Sequence, residues 1–130
     1  MTEKRDVPAK VQGWRHLIAA QSYSISGFLR LLQETAFRHE LLAFGLSLIL
    51  FFLVGATAGE WLALIIVFLM ACAVEALNTA IEEIIDRISP ELSPTGRHAK
   101  DLGSFAVFCL VLAWGALVAF VVLSRLVSWW

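Results

Sequence analysis

Glu75, Asn78, Thr79, Glu82 and Asp86 are spaced by three or four residues along a stretch that is purely apolar from Trp61 to Val74. At about 100° per residue these side chains share one sector of a helix, a stripe of three carboxylates, an amide and a hydroxyl. Such a stripe can take up a cation, accept a proton or hydrogen-bond a polar substrate. Asp86, Arg87 and Glu83 are explained simply by a helix end emerging into water. Glu75 is not, because at least two turns separate it from Asp86. An ionisable side chain inside an apolar span is costly and as a rule faces a bundle interior or a wet cavity.

Two further clusters carry chemistry. Glu34, Arg38, His39 and Glu40 precede one apolar run, and Arg97, His98, Lys100 and Asp101 open another. Charges beside a span commonly do no more than anchor it. All three clusters are expected at the same face, however, where they can form one site. Glu34 and Glu82 are then candidates to share a divalent cation. Magnesium suits one or two carboxylates completed by water and phosphate oxygens. Lys100 and Arg15 are cations suited to a polyphosphate. Glu75 sits deeper, where a poorly hydrated carboxylate is a better proton acceptor and suits a general base toward a lipid hydroxyl. The phosphate loop G-x-x-x-x-G-K-[ST] and the H-R-D and D-F-G arrangements are missing, so any phosphate site must be built from side chains on helices. His16, His39 and His98 have no metal-binding spacing. Cys72 and Cys109 lie in apolar runs and read as small buried hydrophobes.

The elements that must position these residues follow from composition. The 130 residues are 59% hydrophobic and 16% charged, with a mean hydropathy of +0.78, which points to lipid as the solvent and excludes disorder and a disulfide scaffold. Ten Lys and Arg against eleven Asp and Glu give a net charge of −1, which removes the electrostatic argument for a nucleic-acid partner. A span needs about 20 apolar residues, and only a helix satisfies its backbone on the way across. Leu41 to Gly59 is such a run between Glu40 and Glu60, and Leu102 to Ser124 is another between Asp101 and Arg125. The second span begins at Trp61 and continues through the polar stripe to about Ile88.

The expected fold is an all-α membrane protein. Residues 1–8 are expected to be a disordered N-terminus and 9–33 an amphipathic interfacial helix. Residues 34–130 are expected to form a transmembrane domain with spans at about 38–58, 61–88 and 98–125. The interfacial helix rests on Val11, Trp14, Ile18, Ile25, Phe28 and Leu32, which recur on one face with Lys10, Arg15 and Arg30 among more polar positions. Two prolines and a glycine make 89–96 a loop. Basic residues concentrate before the first span and between the second and third. The positive-inside rule therefore predicts a cytoplasmic N-terminus and an outer C-terminus, where Trp129 and Trp130 suit an interfacial belt. No cleavable signal is expected, since the first apolar run starts late and behind many charges.

Glu34-Thr35-Ala36-Phe37-Arg38-His39-Glu40, then Val74-Glu75-Ala76-Leu77-Asn78-Thr79-Ala80-Ile81-Glu82 through Asp86-Arg87-Ile88, and then Ala99-Lys100-Asp101-Leu102-Gly103-Ser104 strongly resemble the prokaryotic diacylglycerol kinase family. The resemblance runs from about Gly13 to the last span. Tyr23-Ser24 with Gly27 shows a local pattern the family often has, one residue closer to Glu34 than usual. The resemblance implies a homotrimeric inner-membrane enzyme that transfers the γ-phosphate of MgATP to diacylglycerol, giving phosphatidic acid. It further implies Glu75 as catalytic base, Glu34 and Glu82 as holders of the nucleotide's metal, and Arg15, Lys100 and Asp101 in the nucleotide site. Asn78 and Ser104 would shape the active site and lipid contact, with Arg38 and Glu40 near the lipid's path of access.

Two alternatives stand beside this reading. An undecaprenol kinase can be built on the same scaffold. A non-enzymatic oligomer conducting ions or protons past Glu75 and Glu82 explains the buried carboxylate, but leaves Lys100, Asp101 and Glu34 without a role. Three helices are too few to enclose a nucleotide and a lipid, so an oligomer is expected on physical grounds too. Gly45, Ala71, Ala76, Ala80, Gly103 and Gly115 are small enough to permit close helix contact.

Overall fold

The computed structural model describes residues 13–127, apart from the side chains of Arg15, His16, Leu17 and Ala19. The expected disordered segment 1–8, the start of the interfacial helix and the terminal tryptophans lie outside the described residues. The described chain is all-helical: α1 (Trp14–Leu31), α2 (Thr35–Leu53), α3 (Ala58–Ile88) and α4 (Pro94–Val127). The last three helices are long and apolar enough to cross a membrane.

Helix ends are set by local chemistry that the hydropathy reading passed over. α2 spans 35–53 instead of 38–58 because Gly55 takes a left-handed φ of 67°. The Gly55 N–H donates to the Phe52 carbonyl at 3.2 Å and the Ala56 N–H to the Phe51 carbonyl at 2.9 Å, the Schellman pattern that ends a helix. Thr57 then starts α3 with a capping box: its side chain accepts the Glu60 N–H, and the Glu60 carboxylate accepts the Thr57 N–H at 2.6 Å. The expected loop 89–96 ends early. The Ser93 hydroxyl accepts the Gly96 N–H at 3.1 Å and Pro94 occupies the first helical position, where its missing N–H costs nothing, so α4 opens there.

α3 and α4 form the main intrachain pair, antiparallel and pinned near both ends. Lys100 Nζ lies 2.5 Å from Asp86 Oδ1 at one end, and Arg125 Nη2 lies 2.5 Å from Glu60 Oε2 at the other. Between them Phe51, Leu64, Ala71, Trp114 and Val121 make the core. Trp114 meets Phe44 and Phe68 edge-on, and those two rings stack on each other at 3.8 Å. The Trp114 indole donates to Ser47 Oγ at 3.1 Å, so the one polar atom of the ring is satisfied inside the core.

α1 turns into α2 through Leu32–Glu34. Leu31 and Phe37 are buried at this corner, and Phe28 packs edge-on against Phe37 with ring centroids 6.0 Å apart. Along the same helix Trp14, Ile18 and Ile25 are exposed, an unburied apolar surface of the kind a bilayer covers.

Candidate functional site

The polar stripe of α3 begins buried and grows wetter along the helix. Glu75, Asn78 and Thr79 are all less than a tenth exposed, Glu82 is half-buried, and the Asp86 side chain is 65% exposed. Glu75, at 4%, is the most enclosed acid among the described residues. The carboxylates of Glu82 and Glu34 lie close enough to act electrostatically on it. Glu34 reaches this position because it is the extended N-cap residue of α2, at the corner where α1 folds back toward α3.

Asn78 ties the stripe together. Its Nδ2 donates to Glu82 Oε1 at 3.1 Å, while its buried Oδ1 has no hydrogen-bond partner and faces Gly103 of α4. That close approach needs a residue without a side chain. On the other side Glu40 is 8% exposed, its Oε2 also has no partner, and it interacts with Glu75 through their charges. Its position at the edge of an apolar run suggests a membrane anchor, yet the chain buries it. Glu40 and His39 line an open groove of about 850 Å³ between α2 and α4, together with Ser47, Trp114 and aliphatic side chains.

The remaining expected site residues are placed differently. Lys100 is held by Asp86, a residue the sequence reading left to solvent. Asp101 and Ser104 are exposed on α4. Arg38 is exposed and donates to Thr35 Oγ1 at 3.2 Å. Arg15 lies on α1 with its side chain outside the described residues. Among the described residues no three His, Cys, Asp or Glu side chains converge as a metal cage. Glu34 and Glu82 are both hard oxygen donors that act on Glu75 through their charges, and one or two carboxylates completed by phosphate and water are what magnesium commonly takes.

Arg30 and Glu83 had no functional reading in the sequence. Arg30 Nη1 donates to Glu34 Oε1 at 2.6 Å, and its Nε and Nη2 lie 2.7 and 2.6 Å from Glu83 Oε1. The hydrogen bonds to Glu34 and then Glu83 raise the guanidinium's pKa further above its ordinary value. The i,i+4 spacing of Arg30 and Glu34 was a visible signal. The pairing with Glu83 depends on the α1–α2 corner and was not.

The family model described as prokaryotic diacylglycerol kinase matches residues 22–123. A diacylglycerol kinase of Sinorhizobium sp is 56% identical over 114 residues, covering 88% of this chain and 83% of that protein. The Haemophilus influenzae diacylglycerol kinase is 38% identical over 116 residues, 85% of this chain and 98% of that protein. The Pseudomonas aeruginosa diacylglycerol kinase is 40% identical over 97 residues, 74% of this chain and 79% of that protein.

Proposed function

The chain belongs to the prokaryotic diacylglycerol kinase family, and as a lipid kinase of that family, we propose, it transfers the γ-phosphate of ATP to the free hydroxyl of diacylglycerol, releasing ADP and phosphatidic acid. The single observation that carries this reading is Glu75, a carboxylate 4% exposed within a membrane-length helix and acted on by the charges of Glu82 and Glu34. A deeply placed proton acceptor beside two potential metal ligands is what transfer from a wet nucleotide to a lipid alcohol requires.

In this reading Glu75 takes the proton from the lipid hydroxyl as its oxygen forms a bond to the γ-phosphorus. The bond from that phosphorus to the β–γ bridging oxygen breaks, and ADP leaves. Glu34 and Glu82 would hold a magnesium ion together with the nucleotide's phosphates, and the chemistry such an ion would supply there is neutralisation of phosphate charge. Lys100, Asp101 and Arg15 orient the nucleotide. Asn78 fixes Glu82 and, with Ser104, shapes the lipid side of the site. Glu40 and Arg38 line the lipid's approach, for which the largely apolar groove that includes Glu40 is suited in composition. Positioning and charge neutralisation account for most of the rate enhancement in such transfers.

The same reading places α1 in the membrane interface, with its exposed apolar face toward lipid and the N-terminus in the cytoplasm of a cell with an inner membrane. The C-terminus is then outside, and residues 34–130 act as the transmembrane domain. It takes the active unit to be a homotrimer, a reading supported by the open groove between α2 and α4 and by the wide apolar surface the single chain leaves uncovered.

The test is phosphate transfer in mixed micelles from labelled MgATP, with diacylglycerol and undecaprenol offered separately. Diacylglycerol is expected to be labelled. Glu75→Gln is expected to lose at least about a hundredfold in turnover, the scale of a general base, with its helical content unchanged. Label on undecaprenol alone would replace the substrate assignment. Label on neither lipid would end it.

A further inference from the structure

Glu34 stands in an expensive place. It is a corner residue with three side-chain torsions, half-exposed at 32%, and it points into a region that already holds Glu75 and Glu82. Like-charge repulsion and side-chain entropy both favour its swinging out to solvent. Within the described structure Arg30 opposes this. Its guanidinium engages one oxygen of Glu34 and, through two further nitrogens, Glu83 on α3. Glu83 immediately follows Glu82 on the same helix. The fork therefore references the corner carboxylate to the helix that carries the rest of the stripe, and adds a positive charge where several negative ones gather. A planar five-donor guanidinium can bridge two carboxylates in this way, whereas a lysine ammonium is a point charge on a flexible stem.

We propose that Arg30, anchored by Glu83, is a positioning residue that holds Glu34 in register with Glu82 for a divalent cation. The inference rests on the metal role given to Glu34 and Glu82 above. Neither Arg30 nor Glu83 touches substrate; Glu83 acts only through Arg30, and Arg30 only through Glu34. Carboxylates that bind metals are commonly fixed by such outer partners, whose loss weakens metal binding by about 10–100-fold.

Mn2+ binding provides a readout independent of turnover. The purified protein in detergent micelles, with a non-hydrolysable ATP analogue, is titrated with Mn2+ and free ion is followed by electron paramagnetic resonance. Arg30→Gln is expected to weaken binding about tenfold, Arg30→Lys less, and Glu83→Gln to an extent between wild type and Arg30→Gln. Adding Glu83→Gln to Arg30→Gln should change nothing more, which a general loss of packing would not produce. Wild-type affinity in both Arg30→Gln and Glu83→Gln, alongside weakened binding in Glu34→Gln, overturns the positioning role and leaves the metal assignment intact. Tighter binding in Arg30→Gln also overturns it, because Arg30 would then be a competitor for Glu34. Wild-type affinity in Glu34→Gln overturns the metal assignment and this inference with it. Should Arg30→Gln lose its helical fold, the exposed Glu83→Gln decides, with wild-type Mn2+ affinity counting against the proposal.

Discussion

Asn78 of α3 lies so close over Gly103 of α4 that a Cβ on the glycine would overlap its amide oxygen. The small residue at 103 thus permits the close helix contact expected of it, here between two helices of one chain. It allows α4 to approach the point at which Asn78 holds Glu82. Gly103→Ala must push the amide or the helix aside, and such overpacking typically costs about 1–3 kcal/mol. The expected result is lower thermal stability in detergent together with reduced turnover. In an Asn78→Ala background the same change should cost clearly less. Equal costs in both backgrounds would show that the two residues are not coupled.

The Trp114–Ser47 pair gives a prediction about packing without chemistry. Ser47→Ala leaves the indole N–H buried and unpaired, a loss of about 1–3 kcal/mol. Trp114→Phe in the Ser47→Ala background removes the orphaned donor as well as part of the ring's contacts. The double variant should therefore be less destabilised than the sum of the singles, as measured by thermal unfolding in micelles.

The large pattern of this fold was legible in the sequence because it rests on the coarsest physics. Charge-free runs bounded by Glu40, Glu60, Asp101 and Arg125 had to be helices long enough to span lipid, and the 75–86 stripe had to lie on one face. Helix ends were less legible. Thr57-x-x-Glu60 is a capping box on paper, but Thr57 was counted as part of an apolar run. Ser93-Pro94 read as a breaker, when serine as cap and proline as first helical residue make it a start. At the site, Glu75 stood out because nothing else explains an acid so deep. Glu40 looked like an anchor because residues flanking a span are ambiguous until neighbouring helices cover them. The links from Arg30 to Glu83 and from Lys100 to Asp86 need the turns at 32–34 and 89–93 to bring helices together, and no local periodicity reports that.

Arg125 and Glu60 clamp the far end of the α3–α4 pair, with side chains 25% and 15% exposed. Glu60 precedes Glu75 by about 22 Å of helix at 1.5 Å per residue. Partly exposed ion pairs contribute modestly, so Arg125→Gln is expected to lower the thermal unfolding temperature in detergent by a small amount. Turnover of the folded protein should stay at the wild-type level. A changed KM for ATP in this variant would mean that the two ends of α3 are mechanically linked.

Glu34→Gln and Glu82→Gln test the division of labour around Glu75. Each substitution keeps the side chain's shape and one acceptor oxygen but removes a negative charge that a divalent cation would use. The proposed roles place both on the nucleotide side of the site, so the magnesium concentration needed for half-maximal rate should rise about tenfold or more, the loss expected when a metal's ligand set is impaired. The KM for diacylglycerol should move much less. Asn78→Ala, which removes the amide that donates to Glu82 Oε1, should raise the magnesium requirement in the same direction but by less than Glu82→Gln. The measurement is a pair of titrations per variant, magnesium at saturating lipid and lipid at saturating magnesium. Equal shifts in both would mean that these carboxylates shape the pocket as a whole and do not hold the ion.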